Sequence, residues 1–289
     1  MNDPLVSILT PCYNHSIYLE DYLKCVIAQD YENIELIIVD DNSSDDSIKV
    51  IERYSKSLNC RFVRFLLIKN ETNKGVTKNC NLLLKKANGK YVRILASDDL
   101  LERTAIRECV EHLEKHPEAF ACINNGFVVK ESFRYDDKRG FLQKIYYSDL
   151  SDIFDSISDR LLEIELEGNV ISAPCVTVRK DAFDIIGKYD ESCICEDYDC
   201  WMRIIKHGRF CFLNRNLTYY RISEKSLSHD KNNRYEMIID DLKIKAKYCN
   251  KIMQKKYYSE ALSRCAAIGF TNMEKELMTI IRDANNVLS

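Results

Sequence analysis

The chain has 289 residues with 42 Lys or Arg and 45 Asp or Glu, so its formal charge is −3, and 46% of its residues are apolar. This composition, with only eight glycines and four prolines, is typical of a globular protein and excludes collagen-like and Gly/Pro-rich disordered classes. No apolar run approaches the roughly 18 residues of a membrane span, and the first residues lack a secretory signal pattern. We therefore expect a cytoplasmic protein.

Thirteen cysteines are scattered along the chain, and none of them form the C-x-x-C pairs that are typical of a zinc site. Their odd number and wide spacing also argue against a disulfide framework. The sequence predicts free, mostly buried thiols in a reducing compartment.

Residues 5–129 alternate between strand-like and helix-like segments. Short runs rich in Ile, Val and Leu predict strands, and apolar residues three or four positions apart predict helices between them. The predicted strands are 5–9, 34–39, 61–68, 91–95 and 120–129, and the predicted helices are 18–27, 45–54, 76–87 and 102–115. Such alternation implies an α/β fold with a mostly parallel sheet flanked by helices.

The remaining segments are less regular. Residues 130–150 combine charges and aromatic side chains without a clear period, which predicts a loop. We expect helices at 152–166 and 198–205, a strand at 170–178 and two short strands at 209–213 and 217–222. From residue 230 onward only helical periodicity remains. The chain is therefore predicted to consist of a domain of residues 1–229 and a C-terminal helical region of residues 230–289.

The helical region begins with a basic segment. Residues 231–258 hold eight basic and three acidic side chains. A basic helix can lie on an anionic membrane surface, at about 1 kcal/mol for each basic group close to it. A solvated helix face explains the same charges and is the more common outcome. Nucleic acid is not an expected partner, because the chain is net acidic and has no visible recognition module. The oligomeric state stays open.

Polar and acidic residues follow three of the predicted strands, where the sequence reads TPCYN, DDNSS and ASDD. In an open parallel sheet, ligands bind beyond the carboxyl ends of the strands. Any one acidic pair can cap a helix, but two pairs at corresponding strand ends are hard to attribute to folding, since like charges repel. Carboxylate oxygens suit Mg²⁺ or Mn²⁺. Because no Gly-rich phosphate loop occurs, such a metal points to a substrate that carries its own diphosphate.

Five segments, in chain order, carry a resemblance to a known family: VSILTPCYN, IIVDDNSSDDS, NKGVTKNCN, YVRILASDDLL and CEDYDCWMRI. Together they resemble the inverting nucleotide-sugar glycosyltransferases of family 2, which have the Rossmann-like GT-A fold, over residues 4–228. The resemblance implies transfer of a sugar from a nucleotide-diphosphate donor, a UDP-sugar first of all, to a glycan or lipid-linked glycan acceptor. It also implies a role in surface polysaccharide synthesis and Mn²⁺ or Mg²⁺ as cofactor.

The resemblance further implies the site residues. The predicted donor-binding residues are Pro11, Tyr13, Asn14, Asp40, Asp41, Asn42, Lys78, Ser97, Asp98 and Arg221. Asp99 and His229 are the predicted metal ligands. Asp197 is the predicted catalytic base, with Glu196 as its orienting partner. At Lys78 the family often has arginine, and a lysine lacks the two-pronged contact that arginine makes with phosphate.

Two alternatives belong to other functional classes. A sugar-nucleotide pyrophosphorylase requires a Gly-rich, basic loop after the first strand, and residues 10–14 contain neither Gly nor Lys nor Arg. A non-catalytic nucleotide-sugar or partner-binding module would be favoured by loss of the later acidic residues. The sequence retains all four of them, Asp98, Asp99, Glu196 and Asp197.

Overall fold

A computed structural model describes residues 3–136, 141–144, 158–222, 231–270 and 273–287. The described strands are β1 (Val6–Cys12), β2 (Ile34–Asp40), β3 (Arg64–Lys69), β4 (Tyr91–Ile94), β5 (Leu100–Leu101), β6 (Ala121–Lys130), β7 (Phe141–Lys144), β8 (Val176–Arg179) and β9 (Phe210–Ile222). The described helices are α1 (Ser16–Ile27), α2 (Ser47–Arg61), α3 (Val76–Lys86), α4 (Ala105–Lys115), α5 (Ser158–Glu167), α6 (Ala182–Ile186), α7 (Glu196–His207), α8 (Lys231–Tyr248), α9 (Lys251–Ala267) and α10 (Glu274–Val287). The predicted α/β class is confirmed.

The strands form one sheet in the order β3-β2-β1-β4-β8-β6-β9-β5, and β7 pairs with β6. Strand β1 runs parallel to both β2 and β4, and β2 runs parallel to β3. These four strands therefore end at the same edge of the sheet, which is the edge where a ligand is expected. Strand β8 is antiparallel to β4 and to β6. Parallel pairing is thus confined to the first four strands and to β6 with β9.

Two apolar layers cover the faces of this sheet. One layer contains residues of α1, α2 and α4, including Leu23, Ile51 and Leu113. The other contains residues of α3 and α7 and extends into the C-terminal helices, where Leu242 of α8 and Tyr257 of α9 are buried. Helix α8 therefore shares its apolar core with α7. Within the described ranges, no helix combines the length and apolar character needed to cross a membrane.

Four predicted elements differ from those in the structure. The strand predicted at 170–178 is confined to β8, which follows a short 3₁₀ helix at Ala173–Cys175. The two short strands at 209–213 and 217–222 are one strand, β9, because register irregularities opposite Asn124–Gly126 accommodate its exposed residues 214 and 215. The loop predicted at 130–150 contains β7, which pairs antiparallel with β6. Helix α2 continues to Arg61, whose guanidinium donates to the carbonyls of Ile27, Gln29 and Tyr31. Residue 61 therefore ends a helix instead of starting β3. The short helix α6 and the two-residue strand β5 were not predicted.

Candidate active site

The segments that follow β1, β2 and β4 contact one another at the shared edge of the sheet. His15, just beyond β1, has its Nδ1 2.8 Å from Ser97 Oγ and 3.8 Å from the Asp98 carboxylate, both beyond β4. The Asn14 N–H donates to Ser43 Oγ (2.9 Å), and Asn14 Oδ1 accepts the N–H of Ser44 (2.8 Å). Three segments that are distant in sequence therefore form one polar edge.

Two asparagines at this edge have left-handed backbone conformations. Asn14 has φ 54° and Asn42 has φ 62°, and they are the only non-glycine residues with positive φ among the described ones. Asparagine tolerates this region better than most residues. Because the conformation still costs energy, such residues are concentrated at functional sites. Both asparagines belong to the predicted donor-binding set.

Asp41 is buried and accepts three hydrogen bonds of 2.8 Å. The donors are Asn70 Nδ2 and the backbone N–H groups of Lys74 and Gly75. Burial raises the pKa of Asp41, but these hydrogen bonds outweigh it and the net shift of the pKa is downward. Gly75 has φ 83°, a conformation that favours glycine. The ionised Asp41 therefore fixes the loop that leads into α3.

The neighbouring Asp40 is also buried. Its Oδ2 accepts the N–H of Ser43 at 3.0 Å, and its Oδ1 is buried without a hydrogen-bond partner among the described residues. A buried carboxylate oxygen of this kind has the capacity to accept a further hydrogen bond.

Asp99 is held by the backbone of β9. Its Oδ1 accepts the N–H of Arg221 at 2.9 Å, and Arg221 Nε donates to the carbonyl of Asp98 at 2.8 Å. Asp99 is only 3% exposed, and burial, followed by the charge of Asp98, raises the pKa of Asp99 well above its usual value. Arg221 is buried too, and its Nη1 donates to the carbonyls of Glu131 and Phe133. In the described structure Arg221 therefore positions the Asp98–Asp99 segment.

The adjacent carboxylates of Asp98 and Asp99 fit a divalent cation. They are hard oxygen donors, the type that Mg²⁺ and Mn²⁺ prefer. The only group of three or more metal-ligating side chains found close together among the described residues lies elsewhere and contains thiols. Here, further ligands would have to come from water and from substrate phosphates, which is the usual arrangement for Mg²⁺ at nucleotide sites.

Glu196 and Asp197 are the first two residues of α7 and line a small cavity whose other lining residues are aliphatic or aromatic. Those residues are Val92, Ile94, Ala173, Val176, Val178, Tyr189 and Trp201. Burial, followed by the charge of Asp197, raises the pKa of Glu196 to about 8. Burial also raises the pKa of Asp197, whose Oδ1 accepts from Asn169 Nδ2 at 3.3 Å. Burial, and for Glu196 also the charge of its neighbour, thus disfavours ionisation of both carboxyl groups at once.

This pair is connected to the strand-end residues through α3 and β4. The Thr77 hydroxyl, two residues after Gly75, donates to the carbonyl of Cys193 at 2.9 Å, just before α7. Ile94, the last residue of β4, lines the cavity with Glu196 and Asp197. The segments bearing Asp41, Asp99 and Asp197 are thus linked by a continuous set of contacts.

The other predicted residues lie in different surroundings. Pro11 is half-buried in β1, and Tyr13 is exposed at the polar edge. Lys78 is exposed on α3 and lines an open groove of about 510 Å³ together with Lys85, Lys188 and Glu191. His229 lies outside the described residues.

Sequence reasoning missed three residues that contact the site: His15, Asn70 and Asn169. His15 and Asn70 each come shortly after a strand, so examining the position beyond every strand end would have found them. Asn169 contacts Asp197 across 28 residues of sequence, and no local pattern indicates this contact.

The fold and the acidic residues at the polar edge define a class of protein, the GT-A glycosyltransferases. The S. aureus TarS structure in complex with UDP-GlcNAc has a TM-score of 0.62 and 20% identity, and the match covers 97% of this chain and 79% of that one. The mannosyltransferase PcManGT from Pyrobaculum calidifontis, in complex with GDP-Man and Mn²⁺, has a TM-score of 0.63 and 16% identity, with coverage of 100% and 82%. At these identities the likeness establishes the fold.

Curated relatives agree with this class. The putative teichuronic acid biosynthesis glycosyltransferase TuaG of Bacillus subtilis is 26% identical over 79% of this chain and 83% of the relative. The UDP-Glc:alpha-D-GlcNAc-diphosphoundecaprenol beta-1,3-glucosyltransferase WfaP of Escherichia coli is 29% identical over 78% and 81%. The model of Glycosyl transferase family 2 matches residues 7–186. The chain therefore belongs to glycosyl transferase family 2 and is a glycosyltransferase, which sets aside the pyrophosphorylase and non-catalytic alternatives.

Proposed function

We propose that this glycosyltransferase transfers a sugar, with inversion, from a UDP-sugar to a glycan or lipid-linked glycan acceptor during surface polysaccharide synthesis. The observation that supports the proposal is the contact among the segments that follow β1, β2 and β4 at one edge of the sheet. The Glu196–Asp197 segment is linked to this edge through Thr77 and Ile94. The names of TuaG and WfaP, which indicate a polysaccharide pathway and a lipid-linked acceptor, support the choice of acceptor.

The donor's nucleoside is proposed to bind along the ends of β1 and β2. Tyr13 offers an exposed aromatic face there, and the unpartnered Oδ1 of Asp40 offers a hydrogen-bond acceptor. The Asn14 and Asn42 backbones shape this part of the edge. Ser97 and Asp98 would contact the ribose or the sugar, and Lys78 and Arg221 are proposed as phosphate contacts.

In the proposed reaction, the acceptor hydroxyl attacks the anomeric carbon while the bond from that carbon to the diphosphate oxygen breaks. Asp197 takes the hydroxyl proton, as inverting transfer requires. The raised pKa of Asp197 suits this role, because a base is most effective when its pKa approaches the working pH. The pKa of Glu196 is about 8, so a protonated Glu196 adds no second negative charge beside Asp197 at neutral pH.

Asp99, with Asp98 beside it, would hold Mn²⁺ or Mg²⁺. When bound, the cation supplies positive charge that neutralises the departing diphosphate. His229 is proposed as a further ligand. Arg221 keeps Asp99 in position through its backbone N–H and its contact with the Asp98 carbonyl.

Residues 1–229 are proposed to form the transferase domain and residues 230–289 a helical region that supports it. Asp240 of α8 accepts the N–H groups of Ile194 (2.6 Å) and Cys195 (3.4 Å), directly before the acidic pair. Peripheral contact of the basic helices with an anionic membrane is part of the same proposal, since a lipid-linked acceptor lies at such a surface.

A thermal-shift screen of UDP-, GDP- and dTDP-sugars, with and without Mn²⁺, tests the donor and the metal. A donor at 100 times its Kd should stabilise the fold by about 2.7 kcal/mol. We expect stabilisation by a UDP-sugar, dependence on Mn²⁺, and loss of that dependence in Asp99→Asn. Stabilisation by a GDP-sugar alone would overturn the choice of nucleotide.

Release of UDP on a panel of lipid-linked glycan acceptors tests the chemistry. We expect Asp197→Asn to bind the donor normally but to lower kcat by about 10²–10⁴, the usual contribution of a general base. Asp46→Asn is the matched control, because Asp46 is an exposed acid that pairs with Lys49 beside the same edge. An Asp197→Asn protein with a near-native rate would remove the base assignment.

A further inference from the structure

A cluster of thiols and imidazoles lies beneath α4, apart from the polar edge formed by the segments that follow β1, β2 and β4. Cys122 and Cys211 are the second residues of β6 and β9 and are register partners in these parallel strands, so their side chains leave the same face of the sheet. His112 reaches them from α4. Among the described residues, these three form the one group of metal-ligating side chains whose ligand atoms all lie within 4.8 Å of one another.

Two further side chains, those of His116 and Cys109, lie close to this cluster. The Sγ atoms of Cys211 and Cys122 and a ring nitrogen of His112 lie within 4.8 Å of one another. The ring of His116, the residue that follows α4, has its centroid 4.6 Å from that of His112. The Cys109 thiol is also near Cys122, but it donates to Asn124 Oδ1 and accepts from Arg93 Nη1, both at 3.6 Å. Cys109 is therefore committed to the buried arginine.

The cluster is buried on one side and accessible on the other. Cys122 is fully buried and Cys211 is 7% exposed, whereas the side chain of His116 is 42% exposed. His112 lies between these limits. A metal ion can therefore enter past the end of α4 and reach the two thiols.

The donor set selects the type of metal. Thiolates and imidazoles bind Zn²⁺ in preference to the Mg²⁺ and Mn²⁺ that carboxylates favour. We propose that His112, Cys122 and Cys211 bind a Zn²⁺ ion that ties α4 to β6 and β9, with His116 or a water molecule as the fourth ligand. On binding, the two thiols release their protons to solvent and coordinate as thiolates. None of these proposed zinc ligands belongs to the polar edge. The zinc ion would therefore be independent of the metal proposed for sugar transfer at Asp98 and Asp99.

Cobalt substitution tests the site directly. The full-length protein, stripped of metal under reducing conditions, is titrated with Co²⁺ in excess Mg²⁺, and with Zn²⁺ against a competing chelator. We expect one ion per chain, a thiolate-to-cobalt charge-transfer band, and a higher Tm with Zn²⁺. Cys211→Ser and His112→Gln should each lose affinity by about 100-fold or more, above the 10–100-fold cost of losing an outer-shell partner.

Two control variants make the result specific. Cys265→Ser removes a buried cysteine of α9 that lies outside the cluster, and Asp99→Asn removes the proposed ligand of the catalytic metal; both should retain the band. Because His112 is partly exposed, His112→Gln is expected to fold, which circular dichroism verifies. Absence of the band in the unaltered protein, or its persistence in both Cys211→Ser and His112→Gln, would overturn the proposal.

Discussion

The carboxylate of Asp197 is held at Oδ1 by the side chain of Asn169 at 3.3 Å, in a cavity whose other walls are mostly apolar. Burial raises the pKa of Asp197, and hydrogen bonds from the N–H of Tyr198 (2.7 Å) and from Asn169 oppose this rise. A base must be ionised to act, so transfer should be lost as the pH falls through this pKa. The loss should begin at a higher pH than it would for an ordinary aspartate.

Asn169→Ala is predicted to move the acidic limb of the pH profile of kcat/KM to higher pH. Removing this donor leaves the N–H of Tyr198, at 2.7 Å, as the remaining neighbouring donor to the carboxylate, so burial is opposed less and the pKa of Asp197 rises further. The measurement is UDP release as a function of pH, and the control is Asn59→Ala, an exposed asparagine on α2. A limb that stays in place or moves to lower pH would show that Asn169 does not hold the reacting carboxylate.

Glu165 is a second buried acid near this site. It is fully buried, and its Oε1 accepts the N–H groups of Val170 (3.2 Å) and Ile171 (3.0 Å). Burial raises its pKa to about 8; these hydrogen bonds and the charge of Lys245 oppose the shift, and the charge of Asp197 adds to it. The folded protein therefore keeps Glu165 protonated at pH values where the unfolded chain has ionised it.

The pH dependence of stability follows from this difference. Between the unfolded pKa near 4.5 and the folded value of about 8, the folded state binds one more proton than the unfolded chain. The contribution of Glu165 to the free energy of unfolding therefore falls by about 1.4 kcal/mol for each unit by which the pH rises. Glu165→Gln is predicted to remove this contribution, so that its stability relative to the unaltered protein increases from pH 5 to pH 8. Urea unfolding at four pH values measures the difference, and a constant difference would contradict the prediction.

The acids of the polar edge could be predicted from sequence because they directly follow strands that are themselves evident from their apolar runs. The roles of Glu165 and Asn169 could not be predicted from sequence, because they depend on packing against α7. The thiol cluster was also missed, because C-x-x-C pairs are the local signal of clustered metal ligands and this cluster has none. Its members come from α4, β6 and β9, and only strand pairing brings them together.

At the scale of elements, α8 holds the segment that leads into α7. The Asp240 carboxylate accepts the N–H groups of Ile194 and Cys195, which precede the first turn of α7 and its two acids. Helix α7 thus receives its orientation partly from a helix that follows it in sequence. Misplacement of a catalytic group by about 1 Å can lower a rate by about 100-fold.

Asp240→Ala is predicted to lower kcat by about 10-fold or more, because the segment before α7 loses its acceptor. Asp240→Asn keeps one acceptor oxygen and should restore most of the rate. Sugar transfer and circular dichroism are measured on both variants. Equal loss in Ala and Asn variants, or a normal rate in both, would contradict a positioning role for Asp240.

The predicted elements were most accurate where the chain alternates strand and helix, from β1 to α4. There each element is specified by local periodicity and by the need to cover both faces of a parallel sheet. Beyond residue 130 the sheet becomes mixed and the pairing is long-range, as in β9, where register irregularities join two predicted strands. The short helix α6 has only five residues, too few for a periodic signal.

At the scale of the whole molecule, much of the positive charge of residues 231–258 is satisfied internally. Lys245 is buried and pairs with Asp241 at 3.0 Å, Lys247 lies 3.4 Å from Asp199, and Lys256 lies 2.7 Å from Glu167. Two of these three pairs connect the helical region with α7 or α5. The basic composition thus serves attachment to the transferase core as well as any contact with an anionic surface.

The apolar contacts of the same helices are predicted to make them necessary for folding. Leu242 of α8 is 1% exposed within the layer that contains Trp201 of α7, so Leu242→Ala should lower the free energy of unfolding by about 2–5 kcal/mol. Ile252→Ala, at a side chain that is 83% exposed, should change it by less than about 0.5 kcal/mol. A fragment of residues 1–229 should then fail to unfold cooperatively. If that fragment instead folded and transferred sugar at the full rate, residues 230–289 would be an independent unit and their shared core with α7 would be dispensable.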